Sequence, residues 1–72
     1  EIPFEFMLNA LRLREGVPTS LFAEHTGLSP LIMQKQIKKA IDKKLLEDDP
    51  LNYKATELGW RFLNDLQAIF LD

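Results

Sequence analysis

Few side chains in this 72-residue chain can act on a ligand, and their spacing limits what they can do. His25 is the single histidine, and cysteine is absent. A lone histidine at the end of a short helix serves most often as a capping or packing group. Nothing beside it in sequence completes a nucleophilic triad or a metal cluster. Met7 and Met33 could join His25 on an iron porphyrin, but both stand at helical core spacing, where methionine fills gaps. The Glu47-Asp48-Asp49 run lacks the spaced ligands and central glycine of a calcium loop, so it reads as a solvated turn. There is no glycine-rich phosphate loop either. No catalytic, cofactor-binding or metal site is expected in this chain.

The remaining candidate is a basic cluster. Lys35, Lys38, Lys39 and Lys43 share the outward side of one expected helix and are joined by Lys44. Five of the nine basic residues therefore sit in one element, with Asp42 the only acid from Pro30 to Lys44. Gln34 and Gln36 have the groups to contact bases. Against a nucleic-acid role, the helix carries no arginine, the usual bidentate partner of guanine. Glu47, Asp48 and Asp49 would meet phosphate and repel it rather than release counterions. The lysines read first as a solvated helix face.

The elements that carry these residues can be marked from caps and periodicity. A first helix is expected from Pro3 to about Glu15, with Gly16 as the residue that ends it. Pro18 holds Val17 extended. Thr19 or Ser20 is expected to cap a short helix through about His25, closed by Thr26-Gly27-Leu28. Ser29 as N-cap and Pro30 at the first position open a third helix, which Met33, Ile37, Ala40 and Ile41 continue to about Lys44. Leu45-Leu46 and the segment from Leu51 to Ala55 read as two short strands around the acidic turn. Thr56 caps the last helix, where Leu58, Phe62, Leu66 and Ile69 form one apolar side. Helix, extended piece, helix, turn, helix, hairpin, helix is the order of a winged helix-turn-helix. The expected fold class is mainly α (α+β), with three to four helices and a small two- or three-stranded β wing.

The first helix has more apolar surface than a rim helix needs. Phe4, Met7, Leu8 and Leu11 occupy one side, while Phe6, Ala10 and Leu13 occupy the other. Only Glu5, Asn9 and Arg12 are left for water. Trp60, Leu63, Phe70 and Leu71 widen the apolar arc of the last helix in the same way. Residues 1–72 make one small domain, and 46% of them are hydrophobic, enough to fold without a disulfide. A net charge of −2 gives no global pull toward nucleic acid or anionic lipid. No apolar run is long enough to span a membrane. The opening Glu-Ile-Pro, with no initiating methionine, reads as the start of a piece cut from a longer chain.

Several runs together resemble a known family. They are "PFEFMLNALRL" from Pro3, Gly16, "TGL" at Thr26, "TELGWRFLNDL" from Thr56 and the closing "IFL". This pattern resembles the C-terminal domain of the oxygen-independent coproporphyrinogen III oxidase family, and most nearly its oxidase-like branch regarded as heme chaperones. The resemblance implies a cytoplasmic radical S-adenosylmethionine parent in porphyrin biosynthesis or heme trafficking. Its catalytic barrel would hold an iron–sulfur cluster on a C-x-x-x-C-x-x-C motif and bind S-adenosylmethionine. None of that motif is present here, so no cofactor residue is carried over.

The same resemblance gives the second apolar side a purpose, which is to dock on the parent's barrel. The outward members of Phe4, Phe6, Met7, Leu8, Leu11, Leu13, Trp60 and Leu71 are the expected contact. The alternative is that a small four-helix domain simply wraps its first helix on both sides. A nucleic-acid module using the third helix, and a lid whose lysines meet the propionates of a tetrapyrrole, are the other readings.

Overall fold

A computed structural model describes residues 2–71, with residue 2 described by its backbone alone. The order is α1 (Ile2–Ala10), β1 (Val17–Pro18), α2 (Ser20–Thr26), a 3-10 helix (Pro30–Met33), α3 (Gln34–Asp42), β2 (Asn52–Tyr53), α4 (Glu57–Arg61) and α5 (Leu63–Ile69). The protein is mainly helical, with one small antiparallel sheet.

Helix α1 stops five residues before the expected end. Arg12 N–H donates to the Asn9 carbonyl and Leu13 N–H to that of Ala10, so the chain tightens into turns. Gly16 is needed for a different reason from the one its position suggested. Its φ is +78°, and a Cβ there would lie 2.6 Å from the Tyr53 carbonyl oxygen. Only glycine lets this backbone pass so close to β2 on its way into β1.

The sheet pairs Val17 with Tyr53 and Pro18 with Asn52. Thr19 extends it: its N–H donates to the Leu51 carbonyl, and its hydroxyl donates to that of Pro50 at 2.9 Å. The hydroxyl expected to cap α2 is therefore spent stapling the loop before β2. The expected hairpin is reduced to one bridge, Leu46 with Ala55, and a bond from Glu47 N–H to the Lys54 carbonyl. Between them Asp49 Oδ1 accepts from Leu51 N–H at 2.8 Å and turns the chain.

The expected third helix divides. Ser29 does cap it, accepting from Leu31 N–H, but Pro30–Met33 winds as a 3-10 turn before α3 begins. Side chains three apart eclipse in that geometry, so of Leu31, Ile32 and Met33 only Met33 turns inward. At the other end, Leu45 N–H reaches the Ala40 carbonyl and Lys44 N–H that of Ile41. This is a Schellman closure with Lys44 at φ +66°, where glycine is usual.

The last helix also divides. Thr56 caps α4 by accepting from Gly59 N–H, as expected, and Gly59 packs flat on the Leu45 carbonyl, where a Cβ would collide. At Phe62 the backbone leaves the helical region, with φ −119° and ψ 47°. The turn lets α5 lie against α3 and α1, and Gln67 Nε2 donates to the Leu8 carbonyl. Leu66 and Ile69 are thereby buried, whereas Leu58 and Phe62 of the expected single stripe stay exposed.

The core centres on Met7, Leu11, Phe22, Met33, Leu66 and Phe70, all without access to water. Beside it the Phe6 ring meets Phe22, His25 and Tyr53 edge-on, at centroid distances of 5.3, 6.0 and 6.4 Å. Such pairs favour this arrangement because a positive ring edge faces a negative ring face.

Candidate functional site

The groups with metal or proton chemistry are not brought together. His25 lies on the surface in the last turn of α2, its ring edge-on to Phe6. Met7 and Met33 are sealed in the core, so neither thioether can reach a porphyrin iron without unpacking it. These residues do not fit an axial-ligand pair for heme. Among the described residues no group of three His, Cys, Asp or Glu side chains is placed to hold a metal ion. The acidic run is a structured loop in which Asp49 also accepts from Asn52 Nδ2 at 3.3 Å. These bonds, that from Leu51 N–H foremost, hold its carboxyl below the ordinary value.

The lysines of α3 and its end are all exposed, and Lys35, Lys38, Lys39 and Lys43 line a shallow depression with Gln36 and Asp42. Lys38 Nζ stands 3.9 Å from Asp42 Oδ2, one helical turn on, a solvent-screened pair of small energetic weight. Lys39 and Lys43 also form one lip of a groove of about 570 Å³ between α3 and α5. Its floor is Leu45, Phe62, Ala68 and Ile69, and Asp65 stands on the other lip.

The apolar candidates of α1 separate into three groups. Met7 and Leu11 belong to the domain's own core. Phe4, Phe6 and Leu8 are half-buried, the two phenylalanines packed against that core. Leu13 is exposed, since the helix ends before reaching it. Trp60 is half-buried under the Arg14 guanidinium, which lies 4.8 Å from the ring centroid and pairs with Glu57 at 3.3 Å. Leu71 is 62% exposed beyond α5.

Leu71 and Leu13 are therefore among the most exposed apolar side chains, and others lie outside the expected contact. Leu31 is 72% exposed, Leu51 71% and Phe62 51%, with Leu28, Ile32 and Leu58 also open to water. Sequence periodicity placed Phe62 in a continuous stripe and gave no warning of the break. For Leu31 and Ile32 a signal did exist: three successive apolar residues after Pro30 cannot all turn inward. Leu58 and Phe62 are one turn apart and present one face, since Phe62 N–H still donates to the Leu58 carbonyl.

The fold is thus a small helical domain with a short sheet and open apolar side chains, and among the described residues no metal cluster is assembled. The chain belongs to the HemN C-terminal domain family, whose model matches residues 1–62. Among curated proteins it is 41% identical over 69 residues to the heme chaperone HemW of Haemophilus influenzae and 38% identical over 69 residues to that of Escherichia coli K12. It is 39% identical over 70 residues to the heme chaperone HemW of Buchnera aphidicola subsp. Schizaphis graminum. The matches cover 96–97% of this chain but only 18–19% of those relatives, so it spans less than a fifth of their length. No solved structure gives a significant match. No helix among the described residues is long and apolar enough to cross a membrane.

Proposed function

We propose that this chain is the noncatalytic C-terminal domain of a longer heme chaperone of the HemW kind, and that it docks on that protein's catalytic barrel through the α4–α5 face. The observation that carries the reading is Phe62, half in water at the α4–α5 break with Leu58 one turn before it. Fully burying a phenylalanine or leucine side chain is worth about 1.5–3 kcal/mol, and covering the exposed half of Phe62 and the exposed part of Leu58 would supply a share of that. The order of helices and the three-segment arrangement of β1, β2 and the Leu46 bridge support a winged-helix reading.

The iron–sulfur cluster and S-adenosylmethionine of a radical enzyme belong, in this reading, to the rest of the protein. This chain has no cysteine to offer a cluster, and that composition suits a reducing cytoplasm. Heme is the cargo of the whole protein. A second reading gives this face a ligand instead of the barrel: Lys39 and Lys43 beside Phe62 put two cations on an apolar groove, which favours a propionate-bearing tetrapyrrole over nucleic acid. Lysine reversal (K39E with K43E) in the longer protein, followed by heme titration, tests this second reading, and unchanged affinity removes it.

Hydrogen exchange tests the docking. Amides 57–71 should exchange more slowly in the longer protein than in the 72-residue chain, and Phe62→Asp should abolish the difference. Equal exchange in both proteins overturns the docking.

A further inference from the structure

A second groove lies on another side of the molecule and none of its lining residues belongs to α4 or α5. It holds about 560 Å³ between α2, the 3-10 turn, α3 and the loop before β2. Its wall and floor are apolar: Ala23, Leu31, Ile37, Ile41 and Leu46. Leu31, 72% exposed, stands at its edge. One rim is the Glu47-Asp48-Asp49 run, and no lysine or arginine lines the groove. The lysines of α3 line a different depression, and Lys54 and Arg14 line a third, which Glu47 and Glu57 also border.

We infer that this groove receives a basic amphipathic helix from a second polypeptide, its apolar side on Leu31, Ile37 and Ile41 and its cations on Glu47 and Asp48. Charge complementarity names the occupant. Three carboxylates and no cation line the groove, Glu47 being shared with the neighbouring Lys54–Arg14 depression, and this rim would repel an acidic segment and attract a lysine- or arginine-bearing one. The two strands are each two residues long, too short for strand addition, so the helix-in-groove mode is the one the surface offers. The inference is independent of the α4–α5 docking, because the two faces share no lining residue. A domain held to its parent by α4–α5 keeps this groove free for another protein.

The test uses nitrogen-15 spectra of the 72-residue chain titrated with two synthetic four-turn peptides. Both carry leucine at i, i+3, i+4 and i+7, one flanked by lysine and the other by glutamate. The lysine peptide should shift Ala23, Leu31, Ile37 and Leu46, and the glutamate peptide should shift nothing. Glu47→Lys with Asp48→Lys should weaken the lysine peptide about tenfold or more at low salt. Leu31→Asp should abolish its binding, and being exposed it should leave the fold intact. Asp49 is kept, because it orders the loop.

The inference is overturned if neither peptide binds, if both bind alike, if shifts fall on α4–α5, or if charge reversal changes nothing. Repeating the titration on the longer protein separates the occupants: loss of binding there means that the parent's own chain fills the groove, which also overturns the inference. Exchange at amides 57–71 reports on the other face and can fail or succeed separately.

Discussion

The Thr56 hydroxyl donates to the Lys44 carbonyl at 2.6 Å while accepting from Gly59 N–H at 2.9 Å. One side chain thus closes the end of α3 and opens α4, and Thr56 N–H adds a bond to the Leu45 carbonyl. The loop from Lys44 to Thr56 is tied at both ends. Thr56→Ala should lower stability by about 1–2 kcal/mol, the range of a lost N-cap, with the orphaned Lys44 carbonyl pushing toward the upper value. Thr56→Ser should retain most of it. Urea denaturation of the three proteins, at an unchanged m-value, measures the difference.

Lys44 and Gly16 make a contrasting pair. Both have positive φ, but only one has the residue that such a backbone prefers. Lys44→Gly should stabilise by about 0.5–1 kcal/mol, because the left-handed position costs a residue with a Cβ roughly that much. Gly16→Ala should destabilise by about 1–3 kcal/mol, since strain is joined by collision with the Tyr53 carbonyl and Lys54. Thermal melts of both variants should move in opposite directions.

Asp49 sets an acid dependence. Its folded carboxyl titrates below the ordinary 3.8, chiefly because Leu51 N–H and then the Asn52 amide favour the charged form. A carboxyl depressed on folding contributes stability that is fully present above 3.8 and fades as pH falls through its lower folded value. The melting-temperature gap between the native chain and Asp49→Ala should therefore be constant above about pH 5 and narrow below 3.8. A gap that widens with acid contradicts this role.

Much of this architecture is legible in the residue order where the signal is local. Ser29 and Thr56 cap the helices that their positions announce, and Gly27 ends α2 with φ +71°. Those bonds span two or three residues and do not depend on the rest of the fold. Gly16 was legible as a special position but not in its reason, because the Tyr53 carbonyl that requires it lies 37 positions further along. The breaks at Met33 and Phe62 were not legible at all. Each is a tertiary compromise, in which one face of a continuous pattern turns so that another can be buried. The same limit governed the docking candidates: a helical wheel shows that α1 has two apolar sides, but not that Met7 and Leu11 face the domain's own core while Leu13 leaves the helix.

Phe62 and Leu66 separate folding from docking most cleanly. They are one helical turn apart, and Leu66 N–H donates to the Phe62 carbonyl, yet Leu66 has no access to water and Phe62 is half exposed. Leu66→Ala should cost about 2–5 kcal/mol through the cavity it leaves in the centre of so small a core, a large share of the stability of a domain this size. Phe62→Ala should change the stability of the 72-residue chain by only about 1 kcal/mol, because just half of its side chain is buried there. In the longer protein the ranking changes. If the α4–α5 face is covered there, Phe62→Ala should lose what that cover supplies, and the domain should become the first segment released by limited proteolysis. A Phe62→Ala protein that resists protease as well as the native one would show that the half-wet ring has no neighbour, and that its exposure is only the cost of bending α5 onto the core.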